Sequence, residues 1–160
     1  MNSANIQVMS LFYLAVAMVA LAIIFYCDLW FGIGVPKTLQ DGFVQGIAGL
    51  GVGGAIVLFS RWAAKVWKAV RDLEDGFRDL IASLTVGDAF LAALASSVGE
   101  ELFFRAALQP LVGLWIASII FAVLHWGPSR QFSAWPILAL GAGLILGGLF
   151  EYFQMVWAPI

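Results

Sequence analysis

The chain has 160 residues, of which 62% are hydrophobic and only 11% are charged. A soluble domain carries about a quarter of its residues as Asp, Glu, Lys or Arg, so this composition argues against a soluble protein and for a lipid bilayer as the solvent. The formal net charge of −2, with basic residues confined to one stretch, argues against nucleic acid as a partner.

The first predicted element is a transmembrane helix over residues 11–26, where every residue is apolar or aromatic. Residues 1–10 contain no Lys or Arg, so the basic region of a secretory signal is missing and we expect a retained anchor. A second apolar stretch covers residues 43–59. This stretch carries glycine at four spaced positions: Gly42, Gly46, Gly49 and Gly53. Two interpretations stay open, close helix packing inside the bundle or the general abundance of glycine in membrane helices.

Residues 61–80 change character, because charged side chains alternate with apolar ones that recur every three or four positions. This pattern predicts an amphipathic helix lying on a membrane surface. The stretch holds five of the eight basic residues, and the positive-inside bias therefore places it in the cytoplasm. It either contacts lipid or substrate or serves as a solvated connector.

Three further spans complete the predicted bundle. One begins near Gly87 with Asp88 as its cap and ends before Pro110, the next covers residues 111–125, and the last covers residues 135 to about 157. The expected fold is all-α, a polytopic membrane helical bundle with about five transmembrane helices and one amphipathic interfacial helix. Residues 1–160 form a single membrane domain, and counting spans puts Pro110 outside unless one helix is re-entrant.

Three charged residues, Glu100, Glu101 and Arg105, interrupt the span that begins near Gly87. A charged side chain at the centre of a membrane helix costs about 2.5 to 3.5 kcal/mol, so such a cluster marks a functional site. Glu101 and Arg105 are four residues apart and share a helix face, which predicts an ion pair. Glu100 is rotated by about 100° and must find another partner. We expect Glu100 to act as a general base while Arg105 keeps Glu101 charged.

The sole histidine, His125, lies four residues after Phe121 near the end of the following span. Because ionisable groups within a bilayer usually face one another, we expect His125 to approach the Glu100 run. Helix tilt or unwinding near Pro110 is needed to bring the two to the same level. A serine nucleophile at Ser96 or Ser97 is the weaker alternative, because one histidine would then serve as both base and partner.

The order Glu100-Glu101-x-x-x-Arg105, Phe121-x-x-x-His125 and the C-terminal Trp157-Ala158-Pro159-Ile160 resembles the CPBP family of intramembrane proteases. The family is also named for CAAX proteases and bacteriocin processing, or ABI. The resemblance covers residues 87–160, which would form the CPBP-like catalytic core.

This resemblance implies an endopeptidase that acts in or at the membrane on a membrane-associated protein or peptide substrate. Separately, the short loops and the absence of a eukaryotic targeting sequence predict a bacterial inner membrane. In the family, the residues corresponding to Glu100 and His125 are thought to activate water, while those corresponding to Glu101 and Arg105 structure the site. A divalent metal such as zinc, if one is used, would be held by Glu100, Glu101 and His125. Catalytic zinc usually takes three protein ligands plus water.

The family's third motif, a His followed four residues later by Asn or Asp, ordinarily comes just after the segment that ends here at Ile160. Its absence from this sequence leaves two interpretations, a truncated protease or a degenerate member. Two functions follow from them: a membrane peptidase, or a non-catalytic membrane adaptor or bacteriocin-immunity-like protein that keeps the fold.

Overall fold

A computed structural model describes residues 3–160, apart from the side chains of residues 3–6 and of residue 80. Over this range every regular element is helical, which confirms the predicted fold class. The α-helices are α1 (Ser3–Tyr26), α2 (Leu39–Val66), α3 (Lys68–Ile81), α4 (Val86–Glu101), α5 (Gln109–Val112), α6 (Leu114–Leu124) and α7 (Trp135–Phe153). A π-helix, Leu102–Leu108, joins α4 to α5, and short 3-10 turns lie at Trp30–Ile33 and Arg130–Phe132.

Three helical segments in the described residues are long and apolar enough to cross a membrane: Gln7–Tyr26, Leu39–Val66 and Arg130–Phe153. Two of the five predicted spans, the one that begins near Gly87 and the one over residues 111–125, are not among these three. The helical rod over residues 86–112 has sufficient length, about 40 Å at 1.5 Å per residue, but carries the charged cluster. Helix α6 has only 11 residues, about 16 Å, and does not cross a hydrocarbon core of about 30 Å by itself.

The core of the bundle forms where α1, the π-helix, α6 and α7 meet. Ala106 and Ala107 of the π-helix are fully buried and pack with Ala20 and Ile24 of α1. Phe104, Phe121 and Ala139 form a second cluster that joins the π-helix to α6 and α7. The charged run therefore lies between packed elements, whereas only 6% of the α2 span is buried.

The amphipathic helix is shorter than predicted. Residues 61–66 continue the apolar span α2, and Trp67, with φ −118° and ψ 112°, separates α2 from α3. The Arg71 guanidinium donates hydrogen bonds to the carbonyl oxygens of Ala64 (2.9 Å) and Lys65 (3.0 Å). Because these carbonyls have no intrahelical partner, a basic side chain reaching back from the next helix satisfies the end of α2.

Most glycines of α2 do not serve close packing. A Cβ added at Gly46 or Gly53 would meet no atom within 4 Å, whereas one at Gly49 would collide with the carbonyl oxygen of Ala158. Of the two open interpretations, general abundance of glycine therefore applies to Gly46 and Gly53, and close approach applies to Gly49 alone among these three.

The rod that carries the charged cluster begins with a capping box. The Thr85 hydroxyl accepts from the Asp88 N–H at 3.2 Å, and Asp88 accepts from the Thr85 N–H at 3.2 Å. The cap is therefore Thr85, and the prediction that Asp88 caps the helix was wrong by three positions. The rod also continues past Pro110, because the Gln109 N–H bonds to the Phe104 carbonyl in π fashion and Pro110 falls in the first turn of α5, which needs no N–H there.

The C-terminal segment folds back on the connection that follows α1. Helix α7 ends at Phe153 rather than near residue 157, because Gln154 adopts a left-handed conformation with φ 56°. The Val156 N–H then donates to the Gly32 carbonyl (3.0 Å), and Trp157 Nε1 donates to the Gly34 carbonyl (2.7 Å). This contact closes the end of the bundle opposite to α3.

Candidate active site

A cavity of about 650 Å³ lies between α1, α4, the π-helix, α6 and the start of α7. Glu100 and His125 both line it, as predicted from the sequence, although they belong to different helices. Its remaining polar lining comes from Tyr13 and Ser96, and its apolar walls are Phe12, Ala15, Val16, Val19, Phe103, Phe104, Leu124 and Trp135. The structure thus combines two ionisable groups with a mainly apolar chamber.

Glu100 finds its partner on α1. The Tyr13 hydroxyl donates a hydrogen bond of 2.9 Å to Glu100 Oε1. The two helices approach closely because Gly99 has no side chain: a Cβ there would lie 3.0 Å from the Tyr13 carbonyl oxygen. One carboxylate oxygen is therefore fixed by Tyr13, and the other has no protein partner among the described side chains.

Glu101 and Arg105 form the predicted ion pair. Arg105 Nε donates to Glu101 Oε2 at 3.0 Å, and both residues are buried, with 0% of Arg105 and 4% of Glu101 exposed. The guanidinium carbon also lies 5.3 Å from the centre of the Phe121 ring, within the range of a cation–π contact. Neither Glu101 nor Arg105 lines the cavity, so the pair is buried behind the cavity wall.

His125 ends α6 and is held in one orientation. Its Nδ1 lies 2.7 Å from the Phe121 carbonyl oxygen, and because a carbonyl only accepts, Nδ1 carries the proton and donates. In the neutral ring, Nε2 is then the nitrogen that carries the lone pair. The ring packs at 4.1 Å from the Phe121 ring and at 5.2 Å from that of Trp135, centroid to centroid.

The predicted metal ligands do not assemble. In the part of the chain that the structure describes, no group of three or more His, Cys, Asp or Glu side chains is placed to hold a metal ion. Glu100 and His125 share the cavity, but Glu101 is turned to Arg105. These three residues therefore do not fit a three-ligand zinc ion. Metal use stays a prediction.

Neither serine candidate is placed as a nucleophile next to His125. Ser96 Oγ donates to the Ala93 carbonyl (3.1 Å) and Ser97 Oγ donates to that of Ile160 (3.0 Å), so neither hydroxyl is bonded to His125.

Sequence reasoning missed two residues of the cavity lining, Tyr13 and Trp135. The signal for Tyr13 was available, since a tyrosine hydroxyl inside an otherwise apolar span must find a buried partner.

The segment that carries this site is similar to a known protein family. The family model described as type II CAAX prenyl endopeptidase Rce1-like matches residues 82–160, which contain Glu100, Glu101, Arg105 and His125. The C-terminal half of the chain is thus similar to this family. The resemblance seen in the sequence motifs is thereby confirmed, and the three apolar spans agree with an integral membrane protein.

A curated relative adds a more distant match. The uncharacterized protein YpbD of Bacillus subtilis is 28% identical over 109 residues, which cover 66% of this chain and 56% of YpbD. The chain thus matches little more than half the length of that relative. No solved structure matches the chain.

Proposed function

We propose that this protein is an intramembrane endopeptidase of the CAAX-protease type, which hydrolyses a peptide bond with water activated by Glu100. The observation that carries the proposal is that Glu100 and His125, from separate helices, line one cavity inside a membrane bundle. The similarity of residues 82–160 to a family described as prenyl endopeptidases supports the reaction class.

The hydrogen bonds assign different tasks to the two residues. With Oε1 of Glu100 bound to Tyr13, Oε2 accepts a proton from water, and the resulting hydroxide oxygen bonds to the carbon of the scissile carbonyl. His125 Nε2 accepts a hydrogen bond from the second O–H of the water and so orients it. As the C–N bond breaks, protonated Glu100 returns its proton to the leaving amine, so the carboxylate is regenerated.

The supporting pair keeps Glu100 available for this work. Arg105 holds Glu101 through a buried hydrogen bond of 3.0 Å, so the guanidinium neutralises Glu101 and not Glu100. Eight of the twelve residues that line the cavity are apolar, which suits a substrate segment that is already associated with the bilayer. The substrate class is therefore a membrane-associated protein or peptide.

The test compares cleavage of a membrane-tethered fluorogenic peptide by the full-length protein in lipid nanodiscs. General-base catalysis is worth about 10² to 10⁴ in rate, so Glu100→Gln should lower kcat by at least about a hundredfold. Glu151→Gln is the matched control, because Glu151 is exposed at the far end of α7 and should leave kcat unchanged.

Two outcomes would contradict the proposal. Equal cleavage by wild type and Glu100→Gln removes Glu100 from the mechanism. Peptide binding without any cleavage by the wild-type protein favours the alternative, a non-catalytic adaptor or immunity-like protein that keeps the fold and its paired charges.

A further inference from the structure

A second and larger cavity, of about 870 Å³, lies at the end of the bundle where α2, α3 and α7 meet. It is bounded by the last turns of α2, by the inner face of the amphipathic helix α3 and by the first turn of α7. Among the residues that the structure describes, Trp135 alone also lines the active-site cavity. The proposed peptidase chemistry uses none of its other residues.

One part of this cavity is apolar. Phe77 of α3 packs edge-on against Trp135 with ring centroids 4.8 Å apart, and both rings line the cavity. The apolar wall is completed from the three helices by Ile56, Val57, Ile81 and Leu138. Such a surface suits a hydrocarbon chain, because it removes apolar area from water without any polar partner.

The other part of the cavity is cationic. Four basic residues line it against one acidic residue, Glu74; the basic residues are Arg61, Lys65, Arg71 and Arg78. Arg71 is bound to the end of α2, and Arg78 is paired with Asp75 at 2.8 Å. Arg61 and Lys65 have no ion-pair partner in the described range, so two positive charges on successive turns of α2 are uncompensated.

We propose that this cavity binds an anionic phospholipid, with the phosphate of the headgroup at Arg61 and Lys65 and an acyl chain along Phe77 and Trp135. The charge complementarity selects an anionic headgroup, and the apolar wall selects a lipid over a small anion. The placement agrees with this, since α3 is an interfacial helix and basic pockets on the cytoplasmic side of membrane bundles bind anionic headgroups.

The test measures lipid binding to the full-length protein in detergent by native mass spectrometry. Phosphatidylglycerol and phosphatidylcholine with identical acyl chains are compared. One basic residue near an anionic surface contributes about 1 kcal/mol, so Arg61→Gln and Lys65→Gln should each weaken phosphatidylglycerol binding by about fivefold. Binding of phosphatidylcholine should be weaker than that of phosphatidylglycerol and should not respond to either change.

The matched control is Lys68→Gln, which removes an equal charge from α3 outside the cavity lining and should leave the Kd unchanged. An equal loss in Lys68→Gln would show general surface attraction and overturn the site. Glycerol phosphate, a headgroup without a tail, separates the two sources of phosphate: if it binds as tightly as the lipid, the lipid assignment fails. Arg61→Lys should retain binding, which separates loss of charge from loss of fold.

Discussion

Glu101 and Arg105 lie inside the bundle, whereas Glu100, one residue away, faces the cavity. The buried pair satisfies its charges internally, and the Phe121 ring covers the guanidinium. Removing one partner of a buried ion pair costs about 3 to 5 kcal/mol because the other charge is left uncompensated. Arg105 Nη1 and Nη2 are buried without a protein partner among the described residues, so Arg105 depends on Glu101 all the more. We interpret Glu101 and Arg105 as residues that hold the structure of the site and Glu100 as the residue that reacts with water.

The hydroxyl of Tyr13 is predicted to position Glu100. Hydrogen bonds to charged groups contribute about 1.5 to 3 kcal/mol, so Tyr13→Phe should lower kcat by about ten- to a hundredfold while KM stays close to its wild-type value. Steady-state cleavage of the tethered peptide measures both constants. Tyr26→Phe is the control on the same helix, because Tyr26 is 85% exposed and should change neither. An unchanged kcat in Tyr13→Phe would show that the contact has no role in positioning.

At the scale of the elements, the π-helix decides how the charged run meets its neighbours. Pro110 has no N–H to donate to Ala106, and the Gln109 N–H instead bonds to the Phe104 carbonyl, which keeps the rod continuous through residue 112. Gly113, with φ +83°, then ends the rod. The chain changes direction there, and the next helix, α6, packs against α7. π-Helical turns within α-helices are frequent at functional sites, and this one directly follows Glu101.

Two glycines of α2, one helical turn apart, should respond oppositely to the same substitution. Gly49→Ala should lower the thermal unfolding temperature, because the added Cβ collides with the Ala158 carbonyl and displaces the C-terminal segment. Gly53→Ala should leave it unchanged or raise it, since no atom lies within 4 Å and alanine favours a helix over glycine by about 1 kcal/mol. Unfolding in detergent, followed by circular dichroism, compares them. Equal effects would refute the Gly49 contact.

For the whole molecule, the structure separates two ends. Helix α3 and the turn Arg130–Phe132 lie together at one end, where Phe77 contacts Phe132. The connection after α1 and the C-terminal segment lie at the other end, separated from α3 by α2, whose 28 residues span about 42 Å. His125 lies beside Trp135 at the start of α7, so the active-site cavity lies nearer to the α3 end.

Cys27 allows this topology to be tested. It is an exposed free cysteine just after α1, at the end opposite to α3. Five basic residues, two in the last turns of α2 and three in α3, favour the cytoplasm for this end of the bundle. Cys27 should therefore react with a membrane-impermeant maleimide in right-side-out vesicles. The control carries Cys27→Ser and Ser129→Cys, which moves the thiol to the α3 end and should react only after the vesicles are opened. The reverse pattern would place α3 outside.

The sequence by itself determined the solvent, the fold class and the residues of the charged run, because composition and helical spacing are local properties. It also determined the Glu101–Arg105 pair, since an i, i+4 spacing brings two side chains together on any helix. It did not predict Tyr13 as the partner of Glu100, the continuation past Pro110 or the limited burial of α2. These depend on contacts between distant segments: the absence of a side chain at Gly99 admits Tyr13, and packing around Ala106 and Ala107 surrounds the π-helix. Only the tertiary structure decided that Glu100 and His125 share a cavity and that Glu101 does not, because that choice depends on how α1, α6 and α7 pack around one helix.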